Sequence, residues 1–234
     1  MRACAAEGRN GEGVVMVGVG NTAEVFDYGD GKVCKLFYQG YPKEAVEREY
    51  RNAMEVERLG LAAPKVYETV TLDGRNGIVY EKIEGKSMLE CIFKNQEGAV
   101  ELLERFVQIQ KEWLTACSDA VLSYKEFLKE LAKGKEQADA ILLRDIEALP
   151  KGDVLLHGDF HPGNVLITPD NRAVVIDFMN VCCGPALYDI ARTYFLLLEK
   201  DKIFAQMYLT LTEVSEADIL PFYKVIELCR KYEK

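Results

Sequence analysis

Residues His157-Gly158-Asp159-Phe160-His161-Pro162-Gly163-Asn164 are followed by Val174-Val175-Ile176-Asp177-Phe178. This places an Asp, an Asn five positions later and a second Asp at the end of an apolar strand. Each residue has an ordinary alternative reading. Asp159 could cap a turn, Asn164 could belong to the turn after Pro162-Gly163, and Asp177 could cap the next helix. Three such residues at these spacings, in this order, favour one shared purpose over three separate turns.

The chain has 234 residues, enough for one large domain or two lobes around a cleft. Apolar residues make up 49% and charged residues 29%, as in an ordinary soluble globular protein. The net charge of -9 argues against a nucleic-acid partner, because phosphate neutralisation by basic side chains supplies much of that affinity. The seven cysteines include no CxxC pair, and neighbouring Cys182 and Cys183 read as free thiols of a reducing compartment. The first eight residues hold no long apolar run, so no secretory signal is expected. The strongest apolar run, residues 194–198, is far too short to span a bilayer. A cytoplasmic location is therefore expected, with no membrane partner.

The first third punctuates as an antiparallel sheet. Strands are expected over 14–17, 23–28 and 33–38, with Gly18-Val19-Gly20-Asn21-Thr22 turning between the first two and Gly29-Asp30-Gly31 between the next two. A helix follows over 43–59, started by Pro42 and stopped by Gly60. Two more strands, 66–72 and 78–82, are joined through residues 73–77. The result is a five-stranded sheet with one helix. Residues 83–87 read as a linker between an N-terminal lobe, 1–82, and a C-terminal lobe, 88–234. Val100, Leu103, Phe106, Val107, Gln110, Trp113, Leu114 and Cys117 form a helical stripe. Further helices are expected over 124–133 and 136–149 and in the tail after Pro185, with a turn at Pro169-Asp170-Asn171. The predicted class is α+β.

The chemistry follows from residue types. A glycine-rich turn lets backbone N–H groups approach phosphate without obstruction, and Gly18, Gly20, Asn21 and Thr22 are the candidates here. Alone, this segment reads as an ordinary hairpin. Lys35 lies within the apolar strand Val33-Cys34-Lys35-Leu36-Phe37, on the strand after that turn. A lysine committed to phosphate needs a carboxylate to fix it. On a helical wheel, Glu49 lies among Val46, Tyr50 and Ala53, where a lone charge would be costly. Glu57 also projects near that stripe and Glu47 falls at its edge, so the wheel favours Glu49 without deciding. Phosphoryl transfer from a magnesium nucleotide requires a carboxylate to take the acceptor's proton, and an amide oxygen and a second carboxylate to hold the metal. Asp159, Asn164 and Asp177 supply that set. The protein-kinase pattern H-R-D-x-x-x-x-N followed by D-F-G has the same Asp-to-Asn spacing. The two histidines, His157 and His161, read as structural.

These motifs, with Gly184-Pro185-Ala186-Leu187-Tyr188-Asp189-Ile190-Ala191, resemble the aminoglycoside phosphotransferase and choline kinase superfamily over nearly the whole chain. The resemblance implies a protein-kinase-like bilobal fold with a mainly helical C-terminal lobe. It implies ATP and Mg2+ as cofactors, with Asp159 as catalytic base and Asn164 and Asp177 as metal ligands. Lys35 would contact the nucleotide phosphates and pair with Glu49. The Glu81 carbonyl and the Ile83 amide, in Tyr80-Glu81-Lys82-Ile83, would meet the adenine edge, and Asp189 would brace the catalytic loop. The implied partner is a small-molecule hydroxyl acceptor, aminoglycoside-like or amino-alcohol-like and cationic. Met179 departs from the protein-kinase motif, which has glycine there. The chain runs only two residues past Tyr232, and the family's acceptor pocket uses C-terminal helices, so the pocket's shape and any antibiotic-resistance role stay open. Two other classes remain as alternatives. One is a non-catalytic nucleotide-binding pseudokinase, against which the intact Lys35, Asp159, Asn164 and Asp177 argue. The other is a protein kinase, against which the lack of an Ala-Pro-Glu anchor after Asp177 argues.

Overall fold

Asp30 and Gly31 both take positive φ, 51° and 70°, which a two-residue I′ hairpin turn requires. They reverse the chain between β2 (Ala23–Gly29) and β3 (Lys32–Phe37). Asp73 and Gly74, at 50° and 76°, do the same between β4 (Val66–Leu72) and β5 (Arg75–Glu81). With β1 (Met16–Val19), these strands form one antiparallel sheet in the order β1-β2-β3-β5-β4. The computed structural model describes residues 15–133 and 140–231.

Two boundaries depart from the sequence reading. Gly18 and Val19 continue β1, where Gly18 pairs with Val25 and Val19 with Glu24, so only Gly20, Asn21 and Thr22 turn the chain. Val14, the expected strand start, lies outside the described residues. Likewise β5 begins at Arg75 rather than Ile78, because the two-residue turn leaves Arg75, Asn76 and Gly77 in the ladder. Gly77 suits that place. A Cβ there would come within 3.0 Å of Cys34 Sγ and 3.1 Å of the Lys35 carbonyl.

Helix α1 (Lys43–Arg58) follows Pro42 and ends before Gly60, whose φ is 70°. Its inner face buries Val46, Ala53 and Val56 against the sheet, and with them the polar Glu49 and Asn52. Residues 83–85 have no regular structure, and β6 (Lys86–Ser87) then pairs with β8 (Val165–Ile167). Next comes α2 (Met88–Lys94), a helix absent from the sequence reading. Its signal was present, since Ser87 and Glu90 form a Ser-x-x-Glu pattern and the Ser87 hydroxyl accepts the Glu90 N–H at 3.2 Å.

The expected stripe becomes α3 (Ala99–Trp113), with Leu103, Phe106, Val107, Gln110 and Trp113 buried. It stops before Cys117, which instead bridges Val154 of β7 (Val154–Leu156). Helix α4 (Tyr124–Lys133) matches its predicted span, and α5 (Ala140–Ala148) falls within its own. Residues 136–139 of that span lie outside the described residues. A 3₁₀ turn (Pro162–Asn164), β8, β9 (Ala173–Val175) and β10 (Cys182–Gly184) carry the motif region. Helices α6 (Ala186–Leu198), α7 (Lys202–Thr212) and α8 (Glu216–Arg230) complete the C-terminal part.

The architecture is thus α+β, with a five-stranded N-terminal sheet and a mainly helical remainder. Among the described residues, no helix is long and apolar enough to cross a membrane. The described cysteines, Cys182 and Cys183 among them, carry free thiols.

Candidate active site

Lys35 lies on a central strand of the sheet, paired with Val25 on one side and Ile78 on the other. Its Nζ meets Glu49 Oε1 at 2.7 Å and Asp177 Oδ1 at 2.9 Å. The structure therefore chooses among the three carboxylates that the helical wheel left open. Glu49 is 1% exposed, whereas Glu57 instead accepts the Val66 N–H. Tyr80, one register step along the sheet from Ile78, gives its hydroxyl to Glu49 at 3.1 Å.

The electrostatics of this group follow from its burial. Burial works against the Lys35 charge, but the carboxylates of Glu49 and Asp177 outweigh it and raise the ammonium pKa. Burial raises the Glu49 carboxyl despite Lys35 beside it. Burial also acts to raise Asp177, yet the Lys35 ammonium holds that carboxyl below its ordinary value. Lys35 is thus a firmly charged cation shared between a buried acid and one whose side chain is 42% exposed.

The second half of the site is the loop after β7. Gly158 has φ 75°, and a Cβ there would collide with the Asn180 carbonyl oxygen. Two α6 side chains hold this peptide from both sides. Asp189, fully buried, accepts the Gly158 N–H at 2.7 Å, and Arg192 Nε donates to the Gly158 carbonyl at 3.3 Å. Burial raises the Asp189 carboxyl, while the Gly158 N–H and the His157 ring draw it back. His157 bridges Asp159 and Asp177 through the backbone. One ring nitrogen is 3.1 Å from the Ile176 carbonyl, and the other accepts the Asp159 N–H at 3.3 Å. Asn164 closes the loop, since its Nδ2 donates to the Asp159 carbonyl at 2.9 Å and its own carbonyl accepts the Ile176 N–H at 2.9 Å. Asp159, Asn164 and Asp177 are thereby tied into one backbone network.

Gly158→Ala is expected to destabilise the fold. The left-handed conformation alone costs an L-residue roughly 1–2 kcal/mol, and the contact with Asn180 adds to this. Chemical denaturation would measure it, and a variant as stable as the parent would contradict the geometry.

Between the two parts lies a cleft of about 520 Å³. Val25 and Val33 line it from the sheet, and Leu166 and Ile176 from the other lobe. Glu81 and Ile83 line it on the linker side, and Lys35, Glu49 and Asp177 also face it. Of the predicted glycine segment, Gly18 alone is in the lining. Gly20 donates its N–H to the Ala23 carbonyl at 2.8 Å, its carbonyl accepts the Tyr38 hydroxyl at 2.9 Å, and Thr22 is held by the Tyr38 N–H. The turn is thus internally hydrogen-bonded.

Several residues around the site escaped the sequence reading. Arg192 is 3% exposed and places Nη2 3.9 Å from Asp159 Oδ1. Gln110 donates to Asp189 at 3.0 Å and accepts the Tyr208 hydroxyl. Asn52 and Tyr80 hold the Asp177 turn and Glu49 respectively. Their signals were faint: a polar side chain on an apolar helical face for Asn52 and Gln110, and a three-residue step from Asp189 for Arg192. His161 Nδ1 accepts the Gly163 N–H at 3.1 Å, and its Nε2 lies 3.8 Å from Asp159 Oδ2. Burial lowers its pKa although Asp159 pulls the other way.

Asp177 and Asn164 offer hard oxygen donors, the kind that magnesium takes alongside phosphate oxygens. With Nδ2 committed to Asp159, the Asn164 amide oxygen is the atom left for such a role. Among the described residues, no group of three or more His, Cys, Asp or Glu is gathered as a metal cage.

The family model described as the phosphotransferase enzyme family matches residues 17–218. No curated protein sequence matches this chain significantly. Among solved structures, a thermostable mutant of aminoglycoside phosphotransferase APH(4)-Ia is similar, with TM-score 0.69 and 14% identity over 95% of this chain and 87% of that one. An aminoglycoside-3'-phosphotransferase of type VIII gives TM-score 0.67 and 16% identity, covering 92% of this chain and 93% of its own. Choline kinase LicA from Streptococcus pneumoniae gives TM-score 0.60 and 17% identity over 92% and 82%. At these identities the structures establish the shared fold.

Proposed function

This chain belongs to the phosphotransferase enzyme family, and we propose that it moves the γ-phosphoryl group of ATP to a hydroxyl of a small molecule. The observation that carries this reading is the joining of two sets of residues. Lys35, fixed by Glu49, reaches Asp177, and Asp177 is tied through Asn164 and His157 to the loop that holds Asp159.

In this reading Lys35 binds the nucleotide phosphates, and Glu49 keeps it pointed at them. The Glu81 carbonyl and Ile83 amide take the adenine edge, and Gly18 with the Gly20-Asn21-Thr22 turn covers the phosphates. Asp177 and the Asn164 amide oxygen hold Mg2+, which when bound neutralises charge on the phosphates. Asp159 accepts the acceptor's hydroxyl proton. Residues 1–82 form the nucleotide lobe, 83–87 the linker and 88–234 the lobe that holds the acceptor.

The acceptor is proposed to be small and cationic, aminoglycoside-like or amino-alcohol-like. Asp177 lines the cleft, whereas Asp159, 26% exposed on the loop after β7, lies outside its lining. The two accessible carboxylates would attract a cation, offset in part by the metal. A peptide acceptor is disfavoured by the short path from Asp177 to α6, which β10 occupies.

The test is ADP release with magnesium-ATP across aminoglycosides, amino alcohols, sugars and nucleosides. A cationic acceptor should rank first, with affinity falling as ionic strength rises. Neutral sugars as best substrates, without salt dependence, would reject the cation and leave the kinase. No ADP release with any acceptor would favour the pseudokinase.

The lysine pair gives a separate expectation. Lys35→Ala should weaken ATP more than adenosine, because the ammonium meets phosphates and not the base. Glu49→Gln should act in the same direction but less, since Lys35 keeps Asp177 as a partner. Calorimetry with both ligands decides it, and equal losses for ATP and adenosine would indicate general unfolding.

A further inference from the structure

Asn52 is 3% exposed on the inner face of α1, one turn beyond Glu49. A buried carboxamide needs partners for its donors. Its Nδ2 reaches across to the other lobe and donates to the Phe178 carbonyl at 2.9 Å and the Val181 carbonyl at 3.2 Å. Those two carbonyls bracket the turn that begins at Asp177, where the backbone has φ 72°. A non-glycine residue in that conformation persists only when its surroundings hold it. Asn52 supplies that hold from outside the turn.

We propose that Asn52 is a positioning residue for Asp177. Helix α1 then controls this carboxylate by two routes, through Glu49 and Lys35 at the side chain and through Asn52 at the backbone. Both routes start one helical turn apart, so a shift of α1 would disturb the two together. The inference rests on the proposed role of Asp177 as a metal ligand.

The role of Asn52 is separable from mere core filling. Asn52→Leu keeps similar volume without donors. Asn52→Asp keeps the shape and sets an acceptor against two carbonyls. The measurements are ATP binding as magnesium is varied, adenosine binding without metal, and emission of Trp113. That residue is the sole tryptophan, and its ring stacks over Phe178 at 6.3 Å and 11°.

Both variants should raise the half-saturating magnesium concentration by about tenfold, the scale on which loss of a ligand's supporting hydrogen bond acts. Adenosine affinity should be unchanged, and Trp113 emission should shift as the 178–181 turn loosens. Unchanged magnesium dependence in the folded variants would overturn the proposal, and so would parallel loss of adenosine affinity. If Asn52→Leu does not fold, Asn52→Asp decides. Asp177→Asn is run beside them. Should it retain the parent's magnesium dependence, the metal-ligand reading itself fails. Should it alone lose that dependence, only the role of Asn52 fails.

Discussion

Asp159→Asn is expected to bind ATP nearly as the parent does and to turn over about a hundredfold more slowly or worse, the scale of a positioned general base. The asparagine has the same shape, so the loop's backbone network is preserved. The His157 ring still accepts the residue-159 N–H, and Asn164 still donates to the residue-159 carbonyl. What disappears is the acceptor for the hydroxyl proton. The variant also loses the charge facing Arg192 across 3.9 Å, and a small loss of stability is expected with it. ATP titration followed by steady-state ADP release with the best acceptor separates the effects. Near-parental turnover would remove Asp159 from the chemistry.

Asp177→Ala should abolish the magnesium-dependent part of ATP binding. This side chain is the carboxylate that pairs with Lys35 and lines the cleft, and it would hold magnesium, which would offset phosphate charge. Asn164→Ala should weaken the same component less, because an amide oxygen is a poorer donor to a cation than a carboxylate. The φ of 72° complicates the alanine variant, since Ala is poorly tolerated there. Asp177→Asn is the better control, because Asn visits that conformation readily and leaves the backbone undisturbed. Calorimetry with and without magnesium is the measurement. Identical magnesium dependence in the folded variants and the parent would leave Asp177 as a structural cap.

The sequence by itself determined the elements whose causes are local. The Asp30-Gly31 and Asp73-Gly74 turns, the helix between Pro42 and Gly60, and the stripe through Phe106 and Trp113 all follow from φ preferences and periodicity within a few residues. Local causes also explain the errors. Asp73-Gly74 suffices as a turn, so Arg75 to Gly77 belong to the strand, and a Ser87 cap starts a helix in a short segment that shows little periodicity. The spacing of Asp159, Asn164 and Asp177 likewise stood in the chain.

Tertiary structure settled which carboxylate meets Lys35: the helical wheel favours Glu49 without excluding Glu47 or Glu57, and the docking of α1 on the sheet brings Glu49 to the lysine. It also set how Asp189, expected to brace the loop, takes the Gly158 N–H while Arg192 donates to the Gly158 carbonyl, and it placed Asn52 on the Asp177 turn. These contacts join residues 31 to 129 positions apart. Their energy comes from satisfying buried donors and acceptors across packed elements, and no local pattern in the chain encodes which partner each will find.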